Sequence, residues 1–252
     1  AELRKQANFA YSDRGDVAGR SAGMEDIDGA IKKAVSLSGA SADEAFSGLE
    51  TMLRSGVVSL SQAFQFLPYV LKNAMATGAD AASVANTQAS AVNFGLSNKD
   101  APAALSVLTT MAQHGRIDVP ELAHHIPRGL EAGKSAGFHG KRGFTELVAF
   151  FEASAIGAKD PQDAATNAND FLAELTSHNL QAAGKHVKIG GHGLDIQKMM
   201  RADLEKGLSP LDTITHAIDA MDSNDPEYRK YRKALKSART PEEKSKLEAQ
   251  IN

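Results

Sequence analysis

Between Leu60 and Gly78 the apolar residues fall at Leu60, Phe64, Leu67, Leu71 and Met75, the spacing of one face of a helix. Pro68 sits in the middle of this stretch. A proline there lacks the N–H that a helix needs and crowds the carbonyl four residues earlier. The segment therefore reads either as a kinked helix or as a fresh helical start after a short turn over 60–66. Gly78 closes it in the manner of a helix C′ residue. The pattern returns at Val119, Leu122, Ile126, Pro127, Leu130 and Gly137. The two prolines lie 59 positions apart, and so do the two glycines.

The flanking segments carry the same offset. Ser41, with Glu44 three residues on, predicts a capping box that opens a helix through Ala45, Phe46, Leu49, Met52 and Leu53, stopped by Gly56. Asp100 and Pro102 open a second one through Leu105, Leu108 and Met111, stopped by Gly115. Phe46 pairs with Leu105, Leu49 with Leu108, Thr51 with Thr110, Met52 with Met111 and Gly56 with Gly115, each at a separation of 59. Agreement at this many unlike residue types reads as an internal duplication. Its landmarks are Gly56, Pro68 and Gly78 in one copy and Gly115, Pro127 and Gly137 in the other. After each proline helix comes a third helix. The first, capped by Asp80, runs through Val84, Gln88, Ala91 and Val92 to Gly95; the second spans Phe144 to Ile156, with Leu147, Val148 and Phe151. The expected units are 41–99 and 100–158.

Outside the duplication the pattern is looser. Residues 1–23 are polar and loosely helical, with Arg14-Gly15-Asp16 and Gly19 breaking the pattern; Arg-Gly-Asp is also the integrin-ligand tripeptide, but a plain loop accounts for it. A helix from about Met24 to Leu37 carries Ile27, Ile31, Ala34 and Val35 on one face, and Gly39 ends it. Asp160-Pro161 repeats an Asp-Pro helix start, with Phe171, Leu172 and Leu175 as the apolar face of a degraded third unit. The duplicated core is thus expected over 24–180 and a separate helical C-terminal region over 181–252. In that region His186 to Gly193 reads as a loop or short extended turn. Helices follow from Leu194 to about Glu205 and from Pro210 to Met221. A charged tail begins at Asp225-Pro226 and shows Leu235, Leu247 and Ile251 without a sustained heptad.

Composition narrows the class. The 252 residues are 42% hydrophobic and 23% charged, with a net charge of −3, so no basic excess points to nucleic acid. Alanine is abundant and alternating β-branched runs are scarce, which predicts an all-α fold of tandem three-helix units packed side by side, with a charged helical extension. With no cysteine in the chain, disulfides, thiolate metal sites and cysteine nucleophiles are excluded. No apolar run approaches the ~20 residues of a membrane span. The chain starts at Ala1 and ends at Asn252 within a helical charge pattern, so both ends read as cut from a longer protein.

Candidate chemistry is thin. The eight histidines include the adjacent His124-His125 and the loop-flanking His186 and His192, but none in a ligand spacing such as His-Glu-x-x-His. Lys188-Ile-Gly-Gly-His-Gly193 is glycine-rich yet matches neither phosphate-binding fingerprint, and reads as an inter-helix loop. Gly137 to Gly143, with His139, Lys141 and Arg142, is a small basic turn. Asp43, Glu44, Glu146 and Glu152 are the carboxylates that a glycosidase would need to draw on, but helix-start acids are explained by the macrodipole. No cofactor, metal or catalytic residue is assigned, and the chain is read as a non-enzyme.

Several of these stretches resemble one family. Gly39-Ala-Ser-Ala-Asp-Glu-Ala-Phe with Leu49 and Gly56, then Leu67-Pro68, Ala76-Thr-Gly-Ala-Asp80 and Asn93-Phe-Gly-Leu-Ser97, resemble the core region of phage tail tape measure proteins. Ile126-Pro127, Ala136-Gly137 and Phe144-Thr-Glu-Leu-Val-Ala-Phe-Phe-Glu-Ala-Ser-Ala resemble its continuation, so the resemblance covers roughly residues 24–180. It implies a fragment of a longer phage or prophage protein, a virion structural protein that sets tail length during tail assembly. It implies a place in the lumen of the tail tube, and in the host cytoplasm while tails are built. The implied partners are the tail tube protein, tail assembly chaperones and tail tip proteins, with self-association left open and no specific nucleic acid. At ~1.5 Å per residue even one continuous helix of this length falls short of a typical tail, which again suggests a fragment. The rival readings are a helical protein-binding scaffold unrelated to tails and a peptidoglycan hydrolase.

Overall fold

The structure, a computed structural model, describes residues 2–10, 17–189, 192–237 and 240. The Arg14-Gly15-Asp16 tripeptide, Gly190-Gly191 and the tail residues Leu247 and Ile251 lie outside them. The chain forms two compact units that divide between Ala173 and Glu174.

The first unit is built only of helices among its described residues. These are α1 (Glu2–Ala10), α2 (Val17–Ser38), α3 (Ala42–Arg54), α4 (Leu60–Thr77), α5 (Ala81–Phe94), α6 (Ala101–His114), α7 (Val119–Ala136), α8 (Gly140–Ser154) and α9 (Pro161–Glu174). α2 begins at Val17, seven residues before the expected Met24, so Gly19 lies inside a helix. The local cost of a helical glycine, about 1 kcal/mol, is offset by packing on α1 and α4. Ser41 makes the expected capping box: its hydroxyl receives the Glu44 N–H, and Glu44 accepts the Ser41 N–H. Those hydrogen bonds from Ser41 hold the Glu44 carboxyl below the usual carboxylate range.

α3, α4 and α5 start 59 residues before α6, α7 and α8 respectively. Pro68 and Pro127 each occupy the ninth position of an unbroken helix, so the fresh start after residue 66 does not occur. The buried stripe of α4 is Ala63, Phe66, Leu67, Val70, Leu71 and Ala74. It is rotated from the expected one, since Met75 is 50% exposed. The reason is tertiary: α4 is enclosed by α2, α3, α5 and α6, so the face centred on Leu67 is covered even where it carries only alanine.

Within the run from α1 to α8, each helix packs on its successor and also on the next helix but one. One row consists of α2, α4, α6 and α8; the other contains α3, α5 and α7. Helices within a row run in the same direction. Gln62, in the first turn of α4, bonds Asn98 just ahead of α6, and Asn73 further along α4 bonds Thr109 within α6. Both pairs are 36 residues apart, as are Thr87 of α5 and Ala123 of α7. The packing therefore repeats every two helices, whereas the sequence repeats every three. An odd number of helices per repeat places α4 in one row and its counterpart α7 in the other. Each further three-helix set thus adds to the ends of the two rows.

The second unit holds α10 (His178–His186), a hairpin of two-residue strands β1 (Lys188–Ile189) and β2 (His192–Gly193), α11 (Ile196–Glu205), α12 (Pro210–Asn224) and α13 (Pro226–Ser237). Its small core includes Leu175, Leu194, Ile196, Met200, Thr213 and Ala217.

Candidate functional site

The prolines have a specific structural consequence. Pro127 has no N–H to give to the carbonyl of Ala123, four residues earlier. Thr87, fully buried on α5, points its hydroxyl at that carbonyl, 3.1 Å away, sharing the proton with Ser83 O at the same distance. A backbone acceptor released by a proline thus becomes a tertiary hydrogen bond between same-row helices. Nothing in the sequence marks Thr87 for this role, since its partner is set by packing.

The four marker glycines divide. Gly78 and Gly137 both end their helices in the left-handed region, with φ of 72° and 106°, where a side chain is strained. Gly56 is also left-handed, at φ 70°, but its counterpart Gly115 is extended. A Cβ on Gly115 would fall 1.8 Å from Glu152 Oε2. That oxygen accepts the N–H groups of Arg116 and Ile117 at 2.8 and 3.2 Å. Gly115 is therefore needed for the close approach of a carboxylate that pins the α6–α7 connection.

The remaining candidate residues are dispersed. Glu146 pairs with Arg142 at 2.6 Å on the surface of α8, Asp43 and Glu44 stand in the first turn of α3, and Glu152 is taken up by loop amides. The structure brings no two of these carboxylates into a common cleft. His124 and His125 touch edge to face, and His125 bonds Glu121 at 3.0 Å. No group of three or more potential metal ligands occurs among the described residues. The glycine-rich segment is a hairpin packed on α10; a Cβ on Gly193 would meet Lys185 O at 2.6 Å, so this glycine serves backbone approach. No described helix is long and apolar enough to cross a membrane.

One polar cluster escaped the motif search. Asp203, at the end of α11 and 6% exposed, receives His216 Nδ1 at 3.0 Å and Lys206 Nζ at 3.4 Å. The hydrogen bond to His216 is the main cause that holds its carboxyl below the usual range. It ties α11 to α12 within the second unit.

This is a stacked helical framework whose polar groups are spent on holding helices together. The family profile Phage-related minor tail protein matches residues 30–238. The chain belongs to that family, and it is a structural component of a phage tail. No curated protein and no solved structure matches it at a significant level.

Proposed function

We propose that the chain is a segment of a tail tape measure protein, that its first unit arose by duplication of a 59-residue, three-helix module, and that residues 160–173 begin a third. The observation that carries this reading is the two-row stacking in which bonded partners recur every 36 residues. Each further module extends the rows, so modules of this kind add length. Family membership places that framework in a tail, and the resemblance noted above supplies the tape measure role. On this reading its partners are the tube protein, the assembly chaperones and the tip proteins, and it performs no catalysis.

The test is to delete or duplicate one module, residues 100–158, in frame in the phage gene and measure tail lengths by electron microscopy. Drawn out as a single helix at about 1.5 Å per residue, the module spans about 90 Å. Tails shortened or lengthened by up to that amount are expected. Assembled tails of unchanged length would sink the ruler role while leaving the tail location standing.

A further inference from the structure

The first unit has a groove of about 430 Å³ between α4 and α6, inside the range of about 300–1,000 Å³ usual for small-ligand sites. Tyr69 forms one wall and is 54% exposed. Lys72, Asn73, Thr109, Thr110 and Gln113 supply most of the rest. Asn73 is fixed from within: its Nδ2 donates to Thr109 Oγ1 at 2.6 Å and to Leu105 O at 3.3 Å, while its Oδ1 has no partner. Lys72 makes no ion pair among the described residues.

The duplication provides an internal control. At the counterpart between α7 and α9, Tyr69 is replaced by Arg128, which reaches across to Asp170 at 3.5 Å. Leu105, Ser106 and Thr109 are replaced by Ala164, Ala165 and Ala168, all buried. The counterpart therefore lacks the aromatic wall and the hydroxyls at positions 106 and 109, while Asn169 stands in place of Thr110.

We propose that the α4–α6 groove binds a short stretch of saccharide chain, preferentially one bearing a carboxylate. The apolar face of a pyranose packs on the Tyr69 ring, the ring hydroxyls meet side chains that both donate and accept, Thr110 and Gln113, and Lys72 faces the carboxylate. An extended peptide fits less well, since the helix backbones lining the groove have no free edge to pair it.

The test is an amide chemical-shift titration of the full chain with chitobiose, cellobiose and a galacturonic acid dimer, each into the tens of millimolar. Shifts confined to residues 69–76 and 102–113, strongest for the acidic dimer, are expected. Tyr69→Ala should weaken binding roughly tenfold, Tyr69→Phe should retain it, and Lys72→Gln should remove the preference for the acidic sugar. Arg128→Ala, at the position corresponding to Tyr69, should change nothing, and circular dichroism checks that each variant is folded. The proposal is overturned if no saccharide shifts these residues, if a tripeptide of similar size shifts them as strongly, or if folded Tyr69→Ala binds as well as the parent. None of these outcomes bears on tail length, so the ruler role stands or falls separately.

Discussion

The two copies of the module share helix boundaries but not cores. In the second, Leu147 on α8 is fully buried and packs into the notch left by Gly133, where a Cβ would come within 2.6 Å of its Cδ1. In the first, the equivalent position on α5 is Gln88, equally buried, with neither end of its carboxamide hydrogen-bonded. The opposing residue there is Ala74 rather than glycine. The same helix positions therefore hold a tight apolar contact in one set and a buried, unbonded carboxamide in the other. Thr87, next to Gln88, takes up the carbonyl that Pro127 releases. If the two sets of helices arose by duplication, as proposed above, Thr87 and Gln88 mark where the polar residues of α5 differ from their counterparts Glu146 and Leu147.

Exchanging the core residues is the most forceful way to break this comparison. Leu147→Gln should cost about 3–5 kcal/mol, the sum of lost apolar burial and an unpaired amide, measured by urea unfolding. Gln88→Leu should instead stabilise by about 1–3 kcal/mol, since it removes two unsatisfied groups from the core; a destabilising Gln88→Leu would show that the carboxamide is satisfied within the protein. At the α6–α7 connection, Gly115→Ala should cost about 1–3 kcal/mol by displacing Glu152. Its effect should shrink in a Glu152→Ala background, and additivity of the two would refute the contact. Thr87→Val should cost about 1 kcal/mol because it leaves the Ala123 carbonyl unpaired. The loss should fall in Pro127→Ala, which restores an N–H to that carbonyl, and an undiminished loss would separate Thr87 from the proline.

The smallest effect is expected outside the duplication. The Asp203 carboxyl titrates below its ordinary value in the folded chain, so its contribution is complete above the unfolded value of about 3.9 and fades as pH falls through the folded one. The difference in melting temperature between parent and Asp203→Asn should be constant near neutrality and narrow below about pH 4. A difference that stays constant down to about pH 2 would show that the Asp203 carboxyl does not carry this contact.

Much of the frame was legible in the chain. Pro68, Gly78, Pro127 and Gly137 mark local backbone requirements, an absent N–H and a left-handed turn, that any neighbour of these helices must accept. The capping box at Ser41 and the helix class follow from local propensity in the same way. The buried face of α4 was less legible, because which of its sides the four neighbouring helices cover is set by packing: Phe66 and Val70 are buried while Met75 is half exposed. The role of Gly115 was hidden because its partner Glu152 lies 37 positions away in the sequence. The α4–α6 groove carries no motif; it exists because Tyr69, Asn73 and Thr109, from two separate helices, share one surface.

By itself the sequence determined an all-helical chain, a three-helix period and the residues that start, bend and stop each helix, since these depend on interactions within a few residues. Only the tertiary structure decided that helices alternate between two rows, so that a three-helix repeat returns in the opposite row. It also decided which polar side chains join the copies and which line a groove. Those outcomes rest on contacts between residues about two helices apart, and no local spacing encodes them.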